Sequence, residues 1–167
     1  MSFQQDQVKH LLTQADYFKY DLSKVPADKL NWKPHESTLA PIEMVDHLAT
    51  ATDYFVMRGT GDGQAEFQPK PASASLEDAL ARFDESIHNA VEAIQNISDK
   101  ALGDFLPTSD GSSSVSRQYL LTTPAWHISY HWGQLCMMQA MCGDDAFHML
   151  NDDSPYGKRY DIAEAQV

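Results

Sequence analysis

Two histidines four residues apart are the side chains of this sequence best placed to do chemistry. The stretch PAWHISYHWGQL, residues 124–135, contains His127 and His131. Residues at positions i and i+4 lie on one face of a helix, about 6 Å apart along its axis, so two imidazoles can reach one ion. Imidazole suits zinc, nickel, copper and iron. Because two imidazoles rarely complete a metal site, the spacing alone leaves three interpretations open: core histidines, a catalytic pair or two metal ligands.

A third histidine, His47, is a candidate for a further ligand. It lies among Val45, Leu48 and Ala49 in a predicted helix, which predicts an inward-facing side chain. Its ring then either donates a hydrogen bond in the core or completes the site, since bundle metal sites are assembled from facing helices. The remaining histidines lie at polar positions or near helix ends, where solvated side chains are expected: His10, His35, His88 and His148.

Apolar residues recur at steps of three and four in segments that predict four helices. The first three cover residues 3–22, 41–58 and 76–96. Pro41 suits a first helical position, and Ser75 with Asp78 resembles a capping box.

The fourth predicted helix carries the histidine pair and ends near Met141. It begins either after a Thr123 cap, with Pro124 as its first residue, or near Ser116, with Pro124 kinking it. Both alternatives place His127 and His131 on the same helical face.

The four predicted helices indicate an all-α fold, a four-helix bundle that forms one domain over residues 1–167. Gly59, Gly61 and Gly63 are expected to end the second helix, and the long 59–75 connection is expected to be a crossover. No convincing strand pattern is present. The tail, residues 144–167, is expected to be mostly irregular, with a short turn near residues 146–150.

The composition excludes several classes of protein. A net charge of -12 and a pI near 4.7 argue against nucleic acid and against an anionic membrane surface as partners. No apolar run is long enough for a transmembrane helix, and the polar N-terminus lacks the apolar core of a signal peptide. Two cysteines are too few for a disulfide framework. A cytoplasmic protein with reduced thiols is therefore expected.

Two blocks of the sequence together resemble the DinB/YfiT-like metalloprotein superfamily. The first, LNWKPHESTLAPIEMVDHLA at residues 30–49, is similar to the family's Trp-x-Pro, helix start and single inward histidine, at Trp32, Pro34 and His47. The second, residues 127–135, is similar to the family's His-x-x-x-His followed by Gly-Gln. The resemblance extends over nearly the whole chain in helix order and length.

The resemblance implies that His47, His127 and His131 bind one divalent metal ion, with water in the open position or positions. Zinc or nickel is expected first, and iron or manganese are the other choices. The chain departs from the family at Ala40, where Ser or Thr often caps the helix, and at Trp132, where a basic residue is frequent. Trp132 makes the rim of the pocket less basic, which weakens the case for an anionic substrate.

Two further side chains are secondary candidates for a catalytic role. Gln134 falls on nearly the same helical stripe as the histidine pair, so it either orients a histidine or a metal-bound water, or is a buried amide bonded to the backbone. Glu43 lies one turn before His47 and is either a base or, as we favour, a first-turn charge that stabilises the helix.

The resemblance implies a metalloenzyme acting on a small molecule, a transferase or hydrolase, including a thiol-dependent S-transferase or isomerase that uses a low-molecular-weight thiol. The alternatives are a non-catalytic metal or small-ligand binding protein of a stress or damage response, and a structural protein with core histidines. A homodimer is also expected, because family members often pair through helices and the fourth helix is rich in Met and Trp.

Overall fold

Four long helices dominate the structure, a computed structural model that describes residues 2–61, 66–151 and 153–155. They are α1 (Phe3–Leu22), α2 (Pro41–Thr60), α3 (Leu76–Asn96) and α5 (Arg117–Met141). Between α3 and α5 lie a single helical turn, α4 (Asp99–Leu102), and two short strands, β1 (Phe105–Pro107) and β2 (Ser114–Ser116). The predicted all-α, four-helix architecture is confirmed.

Serine side chains fix the starts of three long helices. Ser2 Oγ accepts a hydrogen bond from Gln5 N at 3.2 Å, and Ser75 Oγ accepts one from Asp78 N at 3.1 Å, as the predicted cap requires. Each serine satisfies a backbone N–H that has no partner within its own helix. The third serine, Ser116, caps α5, whose first residue is Arg117.

The helices surround one core in the order α1, α5, α2, α3. α5 runs parallel to α1, because the ends of both meet where Gln139 Nε2 donates to Asp21 O. α2 runs antiparallel to α5 and parallel to α3, whose early residue Arg82 contacts Asp46. A connection between parallel neighbours must return along the length of the bundle. The parallel arrangement of α2 and α3 therefore requires the predicted crossover, of which residues 66–75 are described.

Large apolar side chains from all four long helices fill the centre of the bundle. Phe18 of α1 packs against Phe83 of α3 with ring centroids 5.9 Å apart, and both rings are fully buried with Leu48 of α2 and Ile128 of α5. Each such side chain contributes about 1.5–3 kcal/mol by leaving water. This core holds α2 and α5 side by side.

Of the glycines predicted to end α2, Gly61 caps the helix as expected, whereas Gly59 has a different role. The helix does not end at Gly59 but continues to Thr60, and Gly61 donates its N–H to Met57 O at 3.0 Å. A Cβ at Gly59 would lie 2.8 Å from Leu121 Cδ2, so the missing side chain lets α2 approach α5 closely. Gly63 lies outside the described residues.

The start of α5 decides between the two predicted alternatives. Ser116 Oγ accepts a hydrogen bond from Tyr119 N at 3.1 Å, and the helix begins at Arg117. Pro124 is therefore a buried residue inside the helix rather than its first residue. Because proline has no N–H, the carbonyl four residues earlier loses its helical partner there. The histidine pair lies just after this interruption.

The strands β1 and β2 were not predicted. They form an antiparallel pair in the register Phe105↔Ser116 and Pro107↔Ser114. Asp110 orders the turn, because its Oδ1 accepts hydrogen bonds from Thr108 Oγ1 at 2.6 Å and from Ser112 N at 3.1 Å. Strands of three residues are too short to show a period-two pattern in sequence.

The described part of the tail lies against the end of α1. A short 3₁₀ turn spans His148–Leu150, near the predicted position, and Tyr20 Oη donates to Asp153 Oδ1 at 2.6 Å. His148 is partly buried, and its Nε2 lies 2.8 Å from Asp144 Oδ2. This histidine is therefore paired rather than solvated. The tail beyond residue 155 lies outside the described residues.

No helix in the described part of the chain has the length and hydrophobicity needed to cross a membrane.

Candidate metal centre

The antiparallel contact of α2 and α5 brings three histidines together. His47 is on the second turn of α2, and His127 and His131 lie on successive turns of α5. His127 Nε2 lies 3.2 Å from His47 Nε2 and 3.1 Å from His131 Nε2. The structure thus assembles the three predicted ligand candidates into one cluster.

The two shortest contacts of the cluster suit a metal ion, and all three ligand atoms lie within 4.8 Å of one another. With nitrogen atoms about 2.0–2.1 Å from a metal, neighbouring nitrogens are about 3.3 Å apart in a tetrahedral site and about 3.0 Å apart on one face of an octahedron. The two measured separations, 3.2 and 3.1 Å, lie between these values. Either geometry leaves at least one position without a protein ligand.

Hydrogen bonding among the rings satisfies the cluster poorly. A neutral ring nitrogen carries either a proton or a lone pair. His127 Nε2 has two histidine neighbours, so it cannot donate to one and accept from the other. Three converging lone pairs, by contrast, are what a cation requires. The donor set therefore fits a divalent metal better than a hydrogen-bonded core.

Exposure changes across the cluster. His131 is buried, His127 is half-buried and His47 is exposed. The inward orientation predicted for His47 is therefore wrong: its neighbours Val45 and Leu48 take the core positions, which leaves the His47 ring at the surface. The cluster is a shallow site that solvent reaches from the α2 side.

Desolvation within the cluster favours the neutral form of all three imidazoles. It lowers the pKa of His127 from 6.5 to about 4, with smaller contributions from the charges that His131 and His47 would carry. Burial also lowers the pKa of His47 and of His131. At neutral pH the ring nitrogens are thus free of the extra proton that competes with a metal.

Gln134 interacts with the cluster from the predicted stripe. The Gln134 side chain lies close to the His131 ring and raises its pKa, against the larger lowering by burial and by the charge that His47 would carry. The buried His131 Nδ1 has no hydrogen-bond partner among the described residues. The amide supports His131 without fixing the nitrogen that faces away from the cluster.

Glu43 is held at the start of α2. Its Oε2 accepts hydrogen bonds from Lys33 Nζ at 2.6 Å and from Ala40 N at 2.9 Å, and both contacts lower its pKa. These contacts are those expected of the favoured first-turn charge. Among the described residues, no Asp, Glu or Cys side chain joins the three histidines.

Two aromatic rings flank the cluster. Tyr130 lies 5.0 Å from the His131 ring, between centroids, and Phe55 lies 6.3 Å from the His127 ring. Phe55 was not among the site residues predicted from the sequence. Its position eight residues after His47 puts it on the same face of α2, which was the available signal.

Trp132 points away from the cluster. Its Nε1 donates a short hydrogen bond to the buried Asp21 of α1, and its ring lies 5.3 Å from Tyr17. The expectation that Trp132 forms the pocket rim is therefore wrong. Cys136 also contacts Asp21, and burial with that carboxylate raises the thiol pKa to about 12. Cys136 is not part of the cluster.

A cavity of about 440 Å³ borders the cluster, and His131 and Gln134 form part of its wall. Its other walls come from the 34–39 segment, from Met44 and from the end of α5. A larger depression of about 660 Å³ lies at the start of α1, away from the histidines.

Several solved structures share the fold. A DinB-like protein (YjoA) from Bacillus subtilis has a TM-score of 0.66 at 18% identity, covering 91% of this chain and 96% of that chain. YfiT from Bacillus subtilis, described as a probable metal-dependent hydrolase with an unusual four-helix bundle topology, has a TM-score of 0.68 at 14% identity, covering 86% and 90%. A conserved protein from Enterococcus faecalis has a TM-score of 0.65 at 15% identity, covering 86% and 99%.

The sequence itself identifies the family. No curated protein matches the chain. The family model described as the DinB superfamily matches residues 10–135, a span that includes all three histidines of the cluster. The chain belongs to the DinB superfamily.

Proposed function

We propose that this protein is a divalent-metal-dependent enzyme that acts on a small molecule. The observation that carries the proposal is the convergence of the Nε2 atoms of His47, His127 and His131, with no carboxylate or thiol joining them among the described residues. A catalytic metal site typically has three protein ligands and an open position, whereas a structural site is closed by four.

The three histidines would hold the ion between α2 and α5. When bound, a divalent ion supplies a Lewis acid that lowers the pKa of a water or thiol ligand. Exposed His47 leaves that side of the site accessible from solvent. Gln134 would support His131, and the cavity beside it would receive the substrate. Zinc or nickel is the first choice for an all-imidazole set, with iron or manganese next.

Hydrolysis is the first reaction class that we propose. The DinB-superfamily fold is shared with YfiT, which is described as a probable metal-dependent hydrolase. In this chain the neutral histidine rings and the open side suit a site that activates water.

Transfer or isomerisation with a low-molecular-weight thiol is the second candidate. The observation that favours it is the engagement of Glu43 with Lys33 and Ala40, which leaves the cluster without a carboxylate base among the described residues. A thiol activated by a metal needs no separate base, because coordination deprotonates it outright. Binding without turnover, in a stress or damage response, is the non-catalytic alternative.

A turnover screen separates these possibilities. Zinc- and nickel-loaded protein is incubated with activated esters and amides alone, and with thiols plus electrophiles. We expect metal-dependent turnover that is lost in His47→Ala, whose exposed side chain can be removed with little effect on folding. The control is His88→Ala, an exposed histidine of α3 that pairs with Glu92. Full metal binding without turnover in either arm would favour the non-catalytic alternative.

The remaining proposals concern assembly and location. We infer a homodimer from the exposed apolar side chains of α5, which has Arg117 as its single charged residue in a chain of net charge -12. Two acidic copies repel each other least across such a face. The free thiols of Cys136 and Cys142 are consistent with the proposed cytoplasmic location.

A further inference from the structure

We propose that the cavity beside His131 binds an uncharged small molecule with an aromatic body. The inference rests on the proposed function, because it treats this cavity as the substrate pocket of the histidine cluster. Its volume of about 440 Å³ is within the range of small-molecule sites, about 300–1,000 Å³.

The cavity and the cluster share a wall. His131 belongs to both, and its ring lies 5.0 Å from the ring of Tyr130, which also lines the cavity. Met44 lines it from α2, three residues before His47. A ligand in the cavity is therefore next to the histidines rather than at a separate site.

Methionine dominates the apolar part of the wall. Met44, Met137, Met138 and Met141 all line the cavity. Their side chains are flexible and polarisable, and methionine sulfur makes favourable contacts with aromatic rings. Met137 is 64% exposed and Met141 is 53% exposed, so both have room to close on a ligand. Contacts with these methionine side chains favour a ligand with an aromatic or similarly polarisable ring system.

Charge is missing from the wall. The described residues that line the cavity include no Asp, Glu, Lys or Arg. Lys33, which precedes the 34–39 segment, is paired with Glu43 at 2.6 Å. A charged ligand group against this wall would lose its hydration without gaining a partner from the protein, which is strongly unfavourable. The wall therefore favours neutral ligands over ligands with an ammonium group, and over ligands with a carboxylate group when no metal ion is bound by the three histidines.

The polar groups at the cavity are neutral and suit a polar but uncharged head group. His35 Nδ1 accepts a hydrogen bond from Ser37 N at 3.2 Å, so in the neutral ring the proton is on Nε2, which can donate. Gln134 adds an amide that both donates and accepts, and Thr38 is already bonded to His35 O at 2.7 Å. An amide, aldehyde, ketone or ester group would match these partners.

Three probes of the same shape test the inference on the full-length protein. They are 2-naphthamide, 2-naphthoate and 2-naphthylmethylamine, and their binding is measured by ligand-observed NMR with metal-free and zinc-loaded protein. In the metal-free protein we expect the neutral amide to bind at least about tenfold more tightly than either charged probe. Met137→Glu should weaken amide binding by about tenfold, whereas Met137→Leu, which conserves volume, should keep it within about threefold.

The control is Phe105→Glu, which places the same charge at an exposed apolar residue of β1 outside the cavity. Equal binding of the amide and the naphthoate, or equal loss in Phe105→Glu and Met137→Glu, would overturn the inference. His47→Ala separates it from the proposed function, because His47 does not line the cavity. Loss of metal with retained amide binding in His47→Ala would show that the two proposals are independent. A parent protein that binds the amide but no metal would count against the metal site alone, whereas a parent protein that binds metal but not the amide would count against the cavity alone.

Discussion

His47 Nε2 and His127 Nε2 lie 3.2 Å apart, although 80 residues separate them in the sequence. The contact depends on how closely α2 lies against α5. Gly59, near the end of α2, allows that approach, because a Cβ there would lie 2.8 Å from Leu121 Cδ2 and 2.9 Å from Leu121 Cγ. The geometry of the cluster is thus tied to a small residue three turns away.

Gly59→Ala should destabilise the protein despite the higher helix propensity of alanine. Leu121 is 2% exposed and has little room to move, so overpacking should lower the free energy of unfolding by about 1–2 kcal/mol. Urea unfolding measures the change. Gly133→Ala is the matched control, since a Cβ at this α5 glycine meets no atom within 4 Å. It should stabilise by about 0.5–1 kcal/mol, and similar effects of both changes would contradict the packing role of Gly59.

The metal-free protein should lose stability as the pH falls from 6.5 towards 4. Burial gives His127 a pKa of about 4 in the folded state against 6.5 as its ordinary value. The unfolded chain then binds more protons between these values, so acid favours unfolding, and the contribution is fully present above pH 6.5. His47 and His131 act in the same direction.

Thermal melting of chelator-treated protein across this range measures the effect. His127→Gln removes one titrating group and should show a shallower fall in Tm with acid, whereas the exposed His88→Ala should follow the parent protein. A fall of the same size in His127→Gln would show that His127 does not carry the effect.

Trp126→Glu should separate the proposed homodimer into monomers. The Trp126 side chain is 68% exposed on α5, in line with exposed Tyr119 and Tyr130 along the helix. In a symmetric dimer, a carboxylate at the centre of this face would lie opposite the same carboxylate of the second copy. Both carboxylates would lose hydration on association. Multi-angle light scattering at micromolar concentration measures the molar mass of the parent protein and of the variant in solution. A parent protein that is already monomeric, or a variant that stays dimeric, would contradict this interface.

Local pattern predicted the helices and the histidine pair well, because both depend on residues close in sequence. The bounds of α1 and α3 match the sequence prediction, and the i, i+4 spacing of His127 and His131 needs only a helix. The third histidine was a candidate from its place in a predicted helix, but only the family resemblance favoured its joining the pair, since helix periodicity does not tell which helices are neighbours.

Features set by contacts between distant residues were harder to predict. The outward position of His47 depends on the rotation of α2 against α5. Trp132 turns towards α1 because a buried acceptor, Asp21, lies there 111 residues earlier in the chain. The apolar cavity likewise combines the 34–39 segment with the end of α5, which no local pattern brings together.

The most direct test of the account is the metal content of the purified protein and its histidine variants. After zinc loading and dialysis, elemental analysis should find about one equivalent in the parent protein and in His88→Ala, and less than about a tenth in His47→Ala or His127→Ala. Circular dichroism confirms that the variants are folded. Less than about a tenth of an equivalent in the parent protein, or unchanged content in His47→Ala and His127→Ala, would contradict a metal site formed by these histidines.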